Sequence, residues 1–205
     1  MEYTKKLVRL KTDERVIKLR QNANWVRDPS CEDDTLNYLL YTVKTLNPTR
    51  ILEIGTAEGL SGSAMLFAAE NAKLTTIELD EDRYFKAKKN FADLGLSDRV
   101  DVILGDAGEI IEYLNGVYDL IFLDGPKAQY VNYLPRLKQL IRKGGVIFAD
   151  DVLLYGWVDG REETPHKRRS IVEKLKMYLE AVSSDEQLIT SVLDIGEGVA
   201  VSVKI

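Results

Sequence analysis

The chain has 205 residues and a net charge of −5, with 45% hydrophobic and 30% charged residues. This length and composition suit one soluble α/β domain, over residues 1–205, with a sizeable core. The acidic balance excludes a general attraction to nucleic acid, so an RNA partner would need a local basic patch. A single cysteine, Cys31, allows no internal disulfide, and no apolar run is long enough to span a bilayer. We therefore expect a cytoplasmic protein.

The predicted elements begin with charged, weakly amphipathic helices in the first thirty residues. A clearer helix follows, with apolar residues at helical spacing: Leu36, Leu39, Leu40, Val43 and Leu46. Near-continuous apolar runs then predict five buried strands: Arg50–Ile54, Leu74–Leu79, Val100–Leu104, Tyr118–Asp124 and Gly145–Asp150. Helical patterns alternate with these strands: Leu60–Asn71, Glu81–Leu94, Ala107–Leu114 and Gln129–Ile141. This alternation predicts an α/β fold with a mostly parallel sheet and helices on both faces.

The C-terminal part of the chain departs from the alternation. Thr164 and Pro165 predict an N-cap and the first position of a helix, whose apolar face continues to Val182. Two strands follow, Leu188–Leu193 and Val199–Val203, with a glycine-containing turn between them. The short connection predicts an antiparallel hairpin, which brings the sheet to seven strands.

The most informative segment is the first strand and the turn after it, Ile51–Ser61. The strand carries the acidic residue Glu53 near its end and turns through Gly55 and Gly59 into a helix. A dinucleotide fingerprint would need two further glycines, but Ala57 and Leu60 stand at those positions. An acid here suits a ligand with positive charges, such as S-adenosylmethionine (SAM), better than a pyrophosphate. An ordinary strand–turn–helix joint remains the alternative.

Each of the five predicted strands ends at or next to an acidic residue: Glu53, Glu78, Asp106, Asp124 and Asp150, the last followed by Asp151. Ligands bind outside the carboxyl ends of parallel strands, so these acids are expected at one crevice. Glu78 suits the hydroxyls of a ribose, although it could simply face water. Asp106 suits an adenine amine or a helix N-cap. Strands four and five end at three acids, Asp124, Asp150 and Asp151. Acids at the ends of neighbouring strands favour a Mg²⁺ site over a capped turn.

Other residues bear on the acceptor. Lys127 follows a rigid Gly–Pro turn, from which it could reach a reacting hydroxyl, although most lysines lie at the surface. The run Lys167–Arg169 places cations at a helix start, which is unfavourable for the helix dipole and weakly indicates an anionic partner such as RNA. Balance by neighbouring glutamates is the alternative. Tyr155 and Trp157 could stack on a base or ring near the mouth of the crevice. Tyr130 and Tyr133 could do so too, or could pack as helix core.

Together these motifs resemble the cation-dependent O-methyltransferases, which include catechol and caffeoyl-CoA O-methyltransferases. The resemblance rests on Leu52–Thr56, Phe122–Tyr130 and Asp150–Leu153 and extends over residues 20–205. It is closest to bacterial tRNA 5-hydroxyuridine methyltransferases, through the Pro29–Glu32 segment, the basic run and the closing hairpin. It implies a Rossmann-like SAM-methyltransferase fold and, commonly, a homodimer. Residues 1–47 would form part of the cover over the cofactor and the acceptor.

The resemblance also implies roles for individual residues. The cofactor-binding set would be Cys31, Glu53, Gly55, Ala57, Ser61, Glu78, Asp106, Ala107 and Asp124. Within it, Glu53 and Gly55 would face the methionine part of SAM, and Ser61 its carboxylate. The metal ligands would be Asp124, Asp150 and Asp151, with Lys127 beside the acceptor hydroxyl. The chain departs from the family at Asp151, where relatives usually carry Asn, and at Cys31, where they carry an apolar residue.

Three functions remain open from the sequence. The first is a Mg²⁺-dependent SAM O-methyltransferase that acts on 5-hydroxyuridine at the wobble position of tRNA. A second is the same chemistry on a small catechol-like or CoA-linked phenol, because both acceptors place a hydroxyl beside a second oxygen. The third is a SAM- or nucleotide-binding protein without catalysis. A nicotinamide-dependent oxidoreductase is disfavoured by the missing glycines.

Overall fold

The computed structural model describes Leu7 and residues 9–22 and 31–205. Pro29, Ser30 and part of the predicted N-terminal helical region lie outside the described residues. The α-helices are α1 (Glu14–Asn22), α2 (Asp33–Leu46), α3 (Leu60–Ala68), α4 (Glu81–Asp93), α5 (Ala107–Tyr113), α6 (Tyr130–Leu140) and α7 (Arg169–Ser184). The strands are β1 (Arg50–Ile54), β2 (Lys73–Glu78), β3 (Val100–Leu104), β4 (Tyr118–Leu123), β5 (Ile141–Ala149), β6 (Leu188–Leu193) and β7 (Val199–Lys204).

The strands form one seven-stranded sheet in the order β3-β2-β1-β4-β5-β7-β6. The first five run parallel, whereas β7 pairs antiparallel with both β5 and β6. The predicted α/β fold, with a mostly parallel sheet and a C-terminal hairpin, is therefore confirmed. The strand order reverses between β1 and β4, which is the place where open α/β sheets bind ligands.

Helices cover both faces of the sheet. Helices α5, α6 and α7 pack on one face with Leu52 and Ile54, and α1 to α4 pack on the other face with Ile51. This division follows from the alternation of side chains along a strand. It also directs the side chain of Glu53 toward the face that α3 covers. Among the described residues, no helix is long and apolar enough to cross a membrane.

Some predicted boundaries were wrong. Strand β5 begins at Ile141 rather than Gly145, because Ile141 pairs with Tyr118 before the register shifts. Helix α3 ends at Ala68 because the next residue takes an extended conformation that leads toward β2. Thr164 does not cap the last helix. Instead Pro165 precedes a single 3-10 turn, His166–Arg168, which leads into α7.

Candidate functional site

A cavity of about 630 Å³ opens at the carboxyl edge of the parallel strands. Residues that follow each of the five parallel strands line it, together with residues just before α2 and one residue of the C-terminal hairpin turn. The site residues expected from the sequence that line it are Cys31, Gly55, Ala57, Ser61, Glu78, Asp106, Ala107, Asp124, Lys127, Asp151 and Tyr155. Those that do not line it are Glu53, Asp150, Trp157, Lys167, Arg168 and Arg169.

The glycine turn after β1 brings two loops of backbone together. Gly55 has a φ of +97°, and a Cβ there would lie 2.5 Å from the carbonyl oxygen of Asp124. Gly59 has a φ of +81° and lies against the ring of Phe91. Both positions therefore need glycine, for backbone conformation and for space. The absence of a side chain at Gly55 allows the loop after β1 to lie against the loop after β4, and both loops line the cavity.

Glu53 is completely buried and does not reach the cavity. Its carboxylate accepts hydrogen bonds from the hydroxyls of Ser61, at 2.5 Å, and Thr76, at 2.6 Å. Burial raises the pKa of Glu53 to about 7, against the lowering effect of these two bonds. The structure therefore places Glu53 behind Ser61, rather than in direct contact with a ligand in the cavity.

Glu78 lies at the end of β2 and does line the cavity. One carboxylate oxygen accepts from the backbone N–H of Ala57, at 2.8 Å. The other accepts from the N–H groups of Leu79 and Asp80, both at 3.0 Å. These bonds fix the carboxylate at the rim, where a sugar hydroxyl could bind. Leu79 beside it is 68% exposed and also lines the cavity, a contribution that the sequence-based prediction missed.

Asp106 combines the two roles that the sequence left open. It caps α5, because its side chain accepts a hydrogen bond of 2.6 Å from the N–H of Gly108. It also lines the cavity beside Ala107. Tyr133, from α6, lines the same part of the cavity although only 4% of its surface is exposed. Tyr130 is core, and its hydroxyl donates to the carbonyl oxygen of Leu123.

Lys127 lies between two carboxylates at one end of the cavity. Its Nζ is 2.9 Å from an oxygen of Asp124 and 2.9 Å from an oxygen of Asp151. Asp150 is buried and turns toward the backbone, where its carboxylate accepts from the N–H of Asp151. The three acids were expected to converge on one point, but no group of three acidic, histidine or cysteine side chains among the described residues is arranged to hold a metal.

The charges at this end of the cavity are only partly compensated. Burial raises the pKa of Asp124, and the Lys127 ammonium opposes that rise. Burial and the neighbouring carboxylates raise the pKa of Asp150 well above its usual range. For Lys127, burial lowers the pKa, but the surrounding oxygens outweigh it and raise the pKa overall. The arrangement therefore concentrates negative charge around one ammonium group.

Cys31 forms part of the opposite wall. Arg20 of α1 donates a hydrogen bond of 2.9 Å to the carbonyl oxygen of Cys31 and pairs with Asp33 at 2.6 Å. These contacts hold the start of α2 over the cavity. Burial raises the pKa of the Cys31 thiol well above its ordinary value, with further raising by Asp124. Burial therefore favours the neutral thiol at this wall of the cavity.

The residues predicted to bind the methyl acceptor lie in two places, the wall of the cavity and the outer surface. Tyr155 lines the cavity, and its ring lies 4.9 Å from that of Trp157. The run Lys167–Arg169 is exposed on the 3-10 turn and the start of α7, outside the cavity. Glu197, in the hairpin turn, also lines the cavity. No local sequence pattern points to Glu197, because only the pairing of β7 with β5 brings it there.

Comparison with known proteins agrees with this geometry. The O-methyltransferase family profile matches residues 9–205. A caffeoyl-CoA O-methyltransferase of Stellaria longipes is 28% identical over 169 residues, which cover 78% of this chain and 70% of that protein. A methyltransferase from Arabidopsis thaliana, described as tapetum-specific, is 29% identical over 172 residues, covering 81% of this chain and 73% of that protein.

Solved structures show the same fold. A Staphylococcus aureus protein proposed to be a caffeoyl-CoA O-methyltransferase superposes with a TM-score of 0.90 at 30% identity, covering 100% of this chain and 98% of that one. The O-methyltransferase TomG of Streptomyces achromogenes, solved with SAM, superposes with a TM-score of 0.84 at 22% identity, covering 98% and 94% of the two chains. A family match over nearly the whole chain, on a sheet with its cavity at the strand ends, identifies this protein as a member of the O-methyltransferase family and a SAM-dependent enzyme.

Proposed function

We propose that the chain transfers the methyl group of SAM to an acceptor hydroxyl beside Lys127, with a divalent cation held by the neighbouring acids. The observation that carries this proposal is the position of Lys127 Nζ, 2.9 Å from both Asp124 and Asp151, at one end of the cavity. Methyl transfer from a sulfonium needs an oxygen nucleophile in line with the S–CH₃ bond. A charged group next to that oxygen can stabilise it as it loses its proton.

The cofactor would lie along the rest of the cavity. Glu78 would accept hydrogen bonds from the ribose hydroxyls, and Asp106 and Ala107 would flank the adenine. Ser61, backed by Glu53, would face the methionine carboxylate at the N-terminus of α3, where the helix dipole favours an anion. The turn at Gly55 and Ala57 would contact the methionine chain. Cys31 would close the cavity from the opposite wall.

The acids beside Lys127 have the chemistry that a divalent cation needs, and Asp124 and Asp151, which pair with Lys127 in this structure, would have to turn toward the ion. Asp124, Asp150 and Asp151 supply the hard carboxylate oxygens that Mg²⁺ prefers. Burial, together with mutual repulsion, raises the pKa of Asp124 and Asp150, and a second positive charge would relieve that repulsion. When bound, the cation would lower the pKa of the acceptor hydroxyl and fix its orientation. Asp151, where relatives usually carry Asn, adds one negative charge to this set.

Lys127 would act in the transfer as an ammonium, because the surrounding oxygens raise its pKa. In that state it stabilises the oxyanion that forms when the acceptor hydroxyl gives its proton to solvent. An O–C bond then forms while the S–C bond breaks, and S-adenosylhomocysteine leaves. Tyr155 at the mouth would present a ring face to the acceptor.

The acceptor that we propose is 5-hydroxyuridine at the wobble position of tRNA. Lys167, Arg168 and Arg169 are exposed and form no ion pair among the described residues, so they are available to phosphate groups. The adjacent rings of Tyr155 and Trp157 would stack on an unpaired base. A 5-hydroxyuridine places its hydroxyl beside a carbonyl oxygen, which suits chelation by a divalent cation.

A small phenol is the second candidate, because caffeoyl-CoA O-methyltransferases are among the similar proteins. We also propose a homodimer, which light scattering would test. The deciding experiment offers labelled SAM with Mg²⁺ to tRNA from cells that lack the enzyme, to a catechol and to caffeoyl-CoA. We expect label in tRNA. Label only in the catechol or in caffeoyl-CoA would select the small-molecule function, and label in none of them would contradict methyl transfer to these hydroxyl acceptors.

A further inference from the structure

The segment after β5, residues 151–158, adopts an unusual backbone and will be called the acceptor loop. It begins at Asp151 and carries Tyr155 to the wall of the cavity. Three of its residues have positive φ although none is glycine: Asp151 at 57°, Leu154 at 42° and Tyr155 at 57°. Each such residue costs on the order of 1 kcal/mol, and the conformation persists only where neighbouring groups impose it.

One residue of the hairpin turn, Glu197, accepts hydrogen bonds from three N–H groups of this loop. The backbone oxygen of Glu197 accepts from the N–H groups of Leu153 and Leu154, at 2.9 and 3.0 Å. Its side-chain carboxylate accepts from the N–H of Tyr155, at 2.5 Å. Glu197 therefore binds three consecutive N–H groups, two of which belong to residues with positive φ. Without it, these donors would have no partner in the loop as it stands.

The hairpin also contacts the loop directly. The oxygen of Gly198 accepts from the N–H of Val152, at 2.9 Å, and the backbone of Gly198 lies so close to Leu153 that any side chain at position 198 would collide with it. Leu153 and Leu154 are themselves buried, which anchors the loop on its inner side. Tyr155, in contrast, is 58% exposed, and its ring lies beside that of Trp157.

We propose that Glu197 is a positioning residue for the acceptor: its carboxylate fixes the backbone of Tyr155 and so sets where the Tyr155 ring stands over the bound hydroxyl compound. The inference rests on the proposed function for the identity of the acceptor. The hydrogen bond from Tyr155 to Glu197, which we call the clamp, is present in the free protein. The carboxylate acts through Tyr155, because the N–H of Tyr155 is the group that it binds in the structure.

Substitutions separate this role from a direct contact between Glu197 and the acceptor. Glu197→Gln keeps an oxygen that can accept from Tyr155 but removes the charge. Glu197→Ala removes the acceptor altogether while leaving the backbone oxygen in place. Asp194→Ala is a matched control in the same hairpin, because it deletes an exposed ion pair with Arg161 that lies outside the cavity and does not involve Tyr155.

The first measurement is hydrogen exchange of a peptide that spans residues 152–158, in the free protein. We expect exchange about tenfold faster in Glu197→Ala, because a hydrogen bond to a charged group is removed, and parental exchange in Glu197→Gln and Asp194→Ala. The second is methyl-transfer kinetics. The acceptor KM should rise about tenfold in Glu197→Ala only, with the SAM dissociation constant unchanged.

The outcomes are distinct. Parental exchange in Glu197→Ala would overturn the clamp whatever the activity. Faster exchange with an unchanged acceptor KM would overturn its role in positioning the acceptor. An acceptor KM raised equally in Glu197→Gln and Glu197→Ala would show a direct charged contact instead. If the parent methylates none of the offered acceptors, the proposed function fails, while the exchange result still decides whether Glu197 holds the loop.

Discussion

Ser61 donates a hydrogen bond of 2.5 Å to the buried carboxylate of Glu53, and of these two residues only Ser61 lines the cavity. The acid in the glycine motif therefore reaches the cavity only through a hydroxyl. Thr76 donates to the other oxygen of the same carboxylate, so Glu53 also joins β1 to β2. This arrangement differs from the direct contact with the methionine part of SAM that the family resemblance implied.

The first prediction separates these two roles of Glu53. Glu53→Gln keeps a side-chain oxygen for one hydroxyl, and the other hydroxyl can rotate to accept from the amide, so SAM affinity should stay close to that of the parent. Glu53→Ala leaves the Ser61 hydroxyl without its partner, at a cost of about 1–3 kcal/mol in the free energy of unfolding, whereas the Thr76 hydroxyl keeps Thr56 as a partner. Calorimetric titration with SAM and urea unfolding would measure both. A large loss of SAM affinity in Glu53→Gln would favour direct contact.

The second prediction concerns pH. The pKa of Glu53 is raised from 4.5 to about 7 in the folded protein, so the folded state keeps a proton that the unfolded state has released. The free energy of unfolding therefore falls as pH rises from about 4.5 to about 7, by up to about 3 kcal/mol, and this contribution is constant above that range. Urea unfolding at pH 5 and pH 8 should show that the free energy of unfolding falls less in Glu53→Gln than in the parent. Equal falls in parent and variant would contradict the assignment.

Glu78 carries the third prediction. Replacement by Ala removes the acceptor proposed for the ribose hydroxyls and should weaken SAM binding by about 1.5–3 kcal/mol, as for a hydrogen bond to a charged group. Glu109→Ala provides a control, because Glu109 is an exposed acid on α5 that does not line the cavity. Titration with SAM measures both variants. Parental affinity in Glu78→Ala would remove Glu78 from the cofactor site.

The strands and three of the acids show what could be predicted from the sequence and what could not. The strand bounds of β1 and β3 follow directly from buried apolar runs, and both match the structure. The direction of the Glu53 side chain could be predicted from the same pattern. Leu52 and Ile54 face the core on one side of the sheet, so the residue between them must face the other side. The hydrogen bond between Glu197 and Tyr155 could not be predicted from the sequence, because it depends on an antiparallel pairing between distant parts of the chain. The turn of Asp150 toward its own backbone depends on a local bond that residue types do not reveal.

The fourth prediction concerns the basic run. Replacing Lys167, Arg168 and Arg169 by Ala should raise the dissociation constant for tRNA and flatten its salt dependence. The slope of log K against log salt should change by roughly 0.7–0.9 for each phosphate that the variant no longer binds. SAM affinity should not change, because the run lies outside the cavity. A triple variant at Lys18, Lys73 and Lys143 removes the same charge from exposed positions elsewhere. Equally weakened tRNA binding in the two triple variants would indicate net charge and not a docking site.

The central claim is methyl transfer to a hydroxyl beside Lys127 with a divalent cation, and labelled SAM tests it most directly. Transfer of label to the acceptor is measured for the parent and for Lys127→Met, each with Mg²⁺ and with EDTA. We predict transfer by the parent in Mg²⁺, none in EDTA, and restoration when Mg²⁺ is added back. Lys127→Met should transfer at least about 100-fold more slowly, as expected when a charged group that stabilises the reacting oxygen is removed. Full transfer by the parent in EDTA, or by Lys127→Met in Mg²⁺, would contradict the proposed mechanism.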